Sequence, residues 1–213
     1  HSVIYLTGTY DNKTHQFVRE DAQPLDSAID FYAPQTFEDQ QGRRILIGWM
    51  GIPDADYTNP TVKKGWQHAL TIPRQLHIRD GKLYQEPVKE LEKLCRNGRT
   101  FSTEEFQNLQ LPKDCKNMEF SISDGVKLTY MDHVLTLDLG NCGSGRTIRK
   151  VWIEELTDLT LFADTTSLEL FINKGSQVFT TRVYGKQGKA GLKGQCDARI
   201  QVYEMSGYEY GRI

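Results

Sequence analysis

The chain has 213 residues and a formal net charge of -2, and 25% of its residues are charged while 38% are hydrophobic. A charge so close to zero gives no general attraction to nucleic acid or to an anionic membrane. No apolar run approaches the roughly 20 residues that cross a bilayer. We therefore expect neither nucleic acid nor a membrane as a partner, and the length suits one large or two modest domains.

Strand patterns fill the first 85 residues. They occur in "SVIYLTGTY", "DFYAPQTF", "RRILIGWMG" and "ALTIPRQLHIRDGKLYQ". The pair Asp80-Gly81 in the last of these predicts a two-residue hairpin turn. Either a small freestanding barrel or the end of a larger β-propeller fits this pattern. Because the opening segment resembles the middle of a sheet, we favour a propeller whose earlier blades precede His1.

A helix is predicted for the segment "EPVKELEKLCRNG", residues 86–98. Pro87 suits a first helical turn, Val88 and Leu91 fall on one face, and Gly98 fits a C-cap position. The segment lies between two β-rich halves. We therefore interpret it as a short linker helix.

Residues 99–213 have the strand spacing of an all-β sandwich. In "HVLTLDLG", Leu135, Leu137 and Leu139 share one face while Thr136 and Asp138 take the other. Such alternation predicts two sheets packed face to face around one core.

The motifs of several common catalytic sites are missing from this sequence. The Gly-rich stretch 140–145 lacks the Lys-Ser/Thr of a phosphate-binding loop and is interpreted as a hairpin tip. The five histidines have no metal-ligand spacing, and no GxSxG elbow is present. Asp54 and Asp56 lie in a Pro-bounded segment, where acids commonly cap turns. We predict neither a metal site nor a cofactor.

The four cysteines lie far apart and form no CxxC pair. Reduced, buried thiols in a reducing compartment fit this spacing, and so do two disulfides in a secreted protein. The cysteines are Cys95, Cys115, Cys142 and Cys196.

The stretch "DFYAPQTFEDQQGRRILIGWMG", residues 30–51, combines strand patterns with Asp30, Tyr32 and Trp49. Sugars bind to such side chains, because their apolar ring faces pack on aromatics while carboxylates and amides bond to hydroxyls. The residue types leave two hypotheses open. The hairpin either serves packing alone or lines a sugar site.

Longer segments of the sequence resemble glycoside hydrolase family 32, the family of invertases, sucrose-6-phosphate hydrolases and fructanases. "DFYAPQTF", "GRRILIGWMG" and "GWQHALTIPRQL" resemble its last propeller blades, and "LFADTTSLELFINKGSQVFTTRVY" resembles its C-terminal signature. The resemblance extends over residues 1–213 and is strongest to the bacterial sucrose-6-phosphate hydrolase branch. It implies an all-β fold, with the last blades of a five-bladed β-propeller in 1–85, the linker in 86–98 and the two-sheet sandwich in 99–213.

The family resemblance also implies a chemistry, the retaining hydrolysis of a β-fructofuranosyl bond. In the family an Asp is the nucleophile, a Glu is the acid and a second Asp stabilises the transition state. The motifs that carry these acids are absent from this sequence. We therefore expect no catalytic residue in this chain, no activity of the chain alone, and a cytoplasmic full-length enzyme acting on sucrose, sucrose 6-phosphate or a related fructoside.

Three residues inherit a substrate-binding role from the resemblance: Asp30 and Tyr32 in the Asp-Phe-Tyr-Ala motif, and Trp49 in the Gly-Trp motif. Gln35 stands where several plant members have Lys, so a donor-selecting ion pair is not carried over. Other motif residues are assigned to packing or structure. These are Phe31, Ala33, Ile45, Ile47, Glu169 and Asn173.

Two rival interpretations keep the fold but change the function. The sandwich could bind glycans by itself as a non-catalytic module. Alternatively, the chain could be an assembly element, because an incomplete propeller exposes sheet edges that favour pairing. For the latter reason we expect the chain to self-associate.

Overall fold

A computed structural model describes residues 2–100, 108–110, 117–123, 125–185, 191–194 and 199–206. The first half contains β1 (Ile4–Asp11), β2 (Gln16–Pro24), β3 (Tyr32–Glu38), β4 (Arg44–Trp49), β5 (Arg74–Arg79) and β6 (Lys82–Pro87). The second half contains β7 (Cys95–Thr100), β8 (Asn108–Gln110), β9 (Asn117–Ser123), β10 (Val126–Met131), β11 (Val134–Asp138), β12 (Ile148–Trp152), β13 (Asp158–Asp164), β14 (Ser167–Ile172), β15 (Gln177–Arg182), β16 (Gly191–Gly194) and β17 (Arg199–Met205). Short 3-10 helices span Pro60–Lys64, Lys89–Leu94 and Gly140–Gly143. Over these ranges no helix has the length and apolarity to cross a membrane.

The first half consists of a two-stranded sheet, β1-β2, and a four-stranded antiparallel sheet in the order β3-β4-β5-β6. Four strands are the content of one propeller blade. The β5–β6 hairpin turns at Asp80 and Gly81, whose φ angles of 49° and 72° suit a left-handed two-residue turn. The predicted hairpin is confirmed.

The predictions for blade packing are only partly correct. Phe31 and Ile45 are buried, and Ile47 is half-buried. Ala33, in contrast, is exposed with a φ of 41°, because the register of β3 against β4 shifts between Tyr32 and Gln35. This irregularity turns Ala33 away from the core, so its assignment to packing is wrong.

The helix predicted for residues 86–98 is found only in part. A 3-10 helix covers only Lys89–Leu94, and the next residue already begins β7, which pairs with β17 of the second half. Gly98 therefore lies inside a strand instead of capping a helix. Isolated short helices gain little stability, so tertiary contacts decide such a segment. Val88 and Leu91 still pack as a pair, in a small core with Ile45. The domain boundaries at residues 85 and 98 stay a prediction.

The second half forms the predicted two-sheet sandwich. A five-stranded sheet has the order β12-β11-β10-β9-β16, and a six-stranded sheet has the order β15-β14-β13-β8-β17-β7. Alternate residues of both sheets enter one core, among them Leu128, Leu135, Leu137, Leu168, Leu170 and Phe179. The alternation seen in the sequence therefore does specify which face is buried.

The two halves are joined through β15, the edge strand of the six-stranded sheet. The backbone N–H groups of Ser27 and Asp30 donate to the carbonyls of Val178 and Thr180, at 2.8 and 3.0 Å. The first half thus covers an edge that would otherwise be open to pairing.

A buried arginine lies across this interface. Arg74 donates to Glu169 of β14 at 2.7 Å and lies 3.4 Å from Asp26, and its guanidinium stacks between Phe31 and Phe171 at 5.1 and 5.2 Å. Because Glu169 is enclosed in this contact, the structure confirms its assignment to a structural role.

Asn173 likewise belongs to the frame of the sandwich. Its Oδ1 accepts a hydrogen bond from the backbone N–H of Thr157 at 2.9 Å, and its Nδ2 donates to the carbonyl of Glu155 at 2.7 Å. These bonds fix the turn after β14, as the motif predicts.

Candidate functional site

A cleft of about 290 Å³ lies beyond the end of β4. One wall is Trp49, the last residue of that strand, and the rim is the loop that follows it. Arg146, from the second half, closes the base. The cleft is therefore built from both halves of the chain.

The aromatic wall of the cleft is formed by Trp49 and His68, and Tyr32 packs against Trp49 from outside the lining. Tyr32 faces Trp49 across the β3–β4 register, with ring centroids 6.2 Å apart in an edge-to-face arrangement. His68 packs on Trp49 at 4.9 Å. A Cβ on Gly51 would come within 2.5 Å of both Trp49 and His68, so only glycine allows this packing. The structure brings Tyr32 and Trp49 together, as the sequence predicts.

Asp30 lies one layer behind this wall, with 0% of its surface exposed. Its carboxylate accepts two hydrogen bonds from Arg146, both at 2.6 Å. It also accepts bonds from the Thr181 hydroxyl at 3.0 Å and the Arg182 backbone N–H at 2.8 Å. These donors enclose both oxygens and leave none open to the cleft. The sequence predicts Asp30 on the wall itself, whereas the structure makes it the anchor of Arg146.

Arg146 is a cleft residue that the sequence analysis does not identify. It donates to Asn59 Oδ1 at 2.9 Å, and its guanidinium lies 4.5 Å from the centre of the Tyr57 ring. Burial acts to lower the pKa of Arg146, but the hydrogen bonds and charge of Asp30 outweigh it and raise that pKa. Arg146 thus remains a cation and holds the loop that carries Tyr57 and Asn59.

Sequence patterns do not identify Arg146 as a site residue, because the Gly-rich stretch before it is typical of a simple turn. The stretch 140–145 lies in the connection of the β11–β12 hairpin, as predicted, but this connection contains the 3-10 helix Gly140–Gly143, with Cys142 and Gly143 buried. A Cβ on Gly145 would lie 2.6 Å from the Tyr57 side chain, so this loop fits tightly against the first half. Only the folded chain brings Asp30 and Arg146 together, across a separation of 116 residues.

The cleft can bind polar ligands, but its described lining lacks the groups for glycoside hydrolysis. Asp54 is the sole acid among the described residues that line it. Retaining hydrolysis needs two carboxyl groups roughly 5–5.5 Å apart. Across the described part of the chain, no group of three or more His, Cys, Asp or Glu side chains is placed to hold a metal ion.

The structure describes two of the four cysteines. Cys95 is half-buried and Cys142 is buried, whereas Cys115 and Cys196 lie outside the described residues.

A blade-sized sheet followed by a two-sheet sandwich, with an aromatic cleft where they meet, defines a propeller–sandwich protein. Sucrose-6-phosphate hydrolase from Lactobacillus gasseri superposes on the chain with a TM-score of 0.81 at 23% identity, covering 95% of this chain and 47% of that one. A mutant of a Bombyx mori GH32 β-fructofuranosidase in complex with sucrose gives 0.75 at 22% identity, covering 96% and 47%. These likenesses establish the fold, the last part of a β-propeller and a β-sandwich.

Two family models match the sequence in the same order. The glycosyl hydrolases family 32 N-terminal domain matches residues 1–87, and the glycosyl hydrolases family 32 C terminal matches residues 98–202. The chain belongs to glycosyl hydrolase family 32.

Among curated relatives, the sucrose-6-phosphate hydrolase of Staphylococcus xylosus is 35% identical over 95% of this chain and 47% of its own length. That of Bacillus subtilis (strain 168) is 31% identical over 94% and 47%. The chain thus spans about half the length of these relatives.

Proposed function

We propose that this chain is the C-terminal part of a retaining β-fructofuranosidase. The full-length enzyme hydrolyses sucrose or sucrose 6-phosphate, releasing fructose and either glucose or glucose 6-phosphate. The observation that carries this proposal is the 35% identity to a sucrose-6-phosphate hydrolase along 95% of the chain.

Within that enzyme, Tyr32 and Trp49 contact the sugar. Trp49 presents an apolar ring at the cleft, which suits the apolar face of a sugar ring, and Tyr32 packs edge-to-face against it. Ligand sites of this kind combine an apolar lining with a few fixed polar groups. The polar groups here are Asn59 and Arg146, and Asp30 serves the site by holding Arg146 in place.

The acids of the reaction come from a part of the enzyme outside this chain. An Asp attacks the anomeric carbon, a Glu with a raised pKa protonates the leaving oxygen, and water then releases the fructose. We place the enzyme in the cytoplasm, because a charged sugar phosphate does not readily cross a bilayer.

A fructose-release assay tests the proposal directly. The purified 213-residue chain and the full-length protein are each incubated with sucrose and with sucrose 6-phosphate. We expect turnover by the full-length protein and none by the chain alone. Turnover by the chain alone contradicts the assignment of the acids, and an inactive full-length protein contradicts the proposed activity.

Self-association of the isolated chain is a further part of the proposal. The β1–β2 hairpin leaves Ile4, Leu6 and Tyr10 about half exposed, at 54%, 47% and 52%. Apolar patches of this kind favour association. If the isolated chain sediments as a monomer at every concentration, that result would count against self-association.

A further inference from the structure

The outer face of the five-stranded sheet carries a row of apolar side chains. Trp152 on β12 pairs with Val134 on β11, which in turn pairs with Met131 on β10. Trp152 is 64% exposed and Met131 is 54% exposed. Neighbouring strands lie about 4.8 Å apart, so the row extends over roughly 10 Å.

A second row on the same face is entirely polar. Lys150, Thr136, Thr129 and Glu119 pair with one another in that order across the same strands. Lys150, Thr136 and Thr129 each lie two residues along their strand from a member of the apolar row, so the two rows are roughly 7 Å apart. A flat apolar strip therefore lies beside a line of hydrogen-bonding groups.

The side chain of His133 lies beside Trp152 at the end of the sheet. The His133 ring lies 6.0 Å from the Trp152 ring at an interplanar angle of 32°. His133 Nδ1 lies 2.6 Å from the carbonyl of Glu154, and the Ile153 backbone N–H donates to the His133 carbonyl at 2.7 Å. Because a carbonyl only accepts, Nδ1 is the donor in this contact, and in that tautomer Nε2 is available as an acceptor.

We propose that this face of the sandwich is a carbohydrate-binding site. The apolar face of a sugar ring packs on Trp152, with a second ring along Val134 and Met131. Ring hydroxyls bond to His133 Nε2 and to the polar row at Thr136 and Lys150. Two linked sugar units match the length of the apolar row.

The size and charge of the surface favour a sugar over a macromolecule. A stable protein partner needs about 800 Å² of contact on each side, with several large anchors. The apolar row offers one aromatic ring. The polar row has one cation and one anion, Lys150 and Glu119, so it does not select a strongly charged partner. Hydroxyl, ammonium and imidazole groups beside an exposed indole suit a neutral, hydroxyl-rich ligand.

The test is affinity electrophoresis of the 213-residue chain in gels that contain inulin, levan or soluble starch. We expect at least one of these glycans to retard the wild type, and W152A to weaken that binding by roughly tenfold or more. T136V should weaken it by a few fold, the effect of one lost hydrogen bond. W66F is the matched control, since Trp66 is also exposed, at 45%, but lies in the first half.

Thermal denaturation of W152A checks that it stays folded, which its exposed side chain leads us to expect. The proposal is overturned if no glycan retards the wild type, or if W152A is retarded as strongly as the wild type. Dimerisation of the wild type that W152A abolishes would also overturn the proposal, because the surface would then bind a second copy of the chain.

Discussion

Replacing Arg146 with Met would leave the Asp30 carboxylate buried without its cation. Asp30 is 0% exposed and Arg146 is 3% exposed, and two hydrogen bonds of 2.6 Å join them. Removing one partner of a buried ion pair typically costs about 3–5 kcal/mol. We expect R146M to lose an amount in this range, since the remaining donors to Asp30 are neutral groups.

Urea denaturation of wild type, R146M, D30N and the double variant measures this loss as a double-mutant cycle. We expect each single variant to be strongly destabilised and the double variant to lose much less than the sum, because it leaves no unpaired charge. Losses below about 1 kcal/mol, the value of an exposed pair, would refute the argument. Additive losses would show that the two side chains do not act as a pair.

The interface between the halves gives two more predictions. Gly175 has a φ of +78°, and a Cβ there would lie 1.8 Å from the Gln85 carbonyl oxygen. Gly42 has a similar φ of +74° but open space around it, so G175A should destabilise the chain by several times the cost of G42A. Equal losses of the two variants in urea denaturation would count against a tight interface. Burial raises the pKa of Asp26 and of Glu169, against the opposing effect of Arg74, so the folded chain holds these protons more tightly than the unfolded chain. Their contribution to the free energy of unfolding should therefore fall as the pH rises from about 4 towards the raised pKa values. The stability of wild type relative to D26N should decline over that range, and a constant or rising difference would contradict the sign.

The elements that the sequence predicts well are those set by local pattern. The turn at Asp80 and Gly81 follows from two adjacent residues, and the sandwich faces follow from alternation such as that of Leu135 and Leu137. The helix predicted over 86–98 ends early, at Leu94, because pairing with a distant strand, β17, decides the conformation of the residues that follow.

In the candidate site, too, residues placed by local pairing are predictable and residues placed by distant contacts are not. Tyr32 and Trp49 lie together because they pair in one hairpin, so a local motif can locate both. The burial of Asp30 depends on Arg146, 116 residues away in the other half, in a stretch without any recognisable motif. Motif matching identifies Asp30 as a site residue, but only the fold shows that it anchors another side chain.

The central claim is that this chain supplies one binding wall of a fructoside hydrolase. It is tested most directly by steady-state hydrolysis of sucrose and sucrose 6-phosphate by the full-length protein as wild type, W49A and W66F. We expect W49A to lower kcat/KM by roughly tenfold or more, the effect of one lost ring contact, and W66F to leave it unchanged. If W49A hydrolyses both sugars as efficiently as the wild type, Trp49 does not bind substrate and the cleft is not part of the active site.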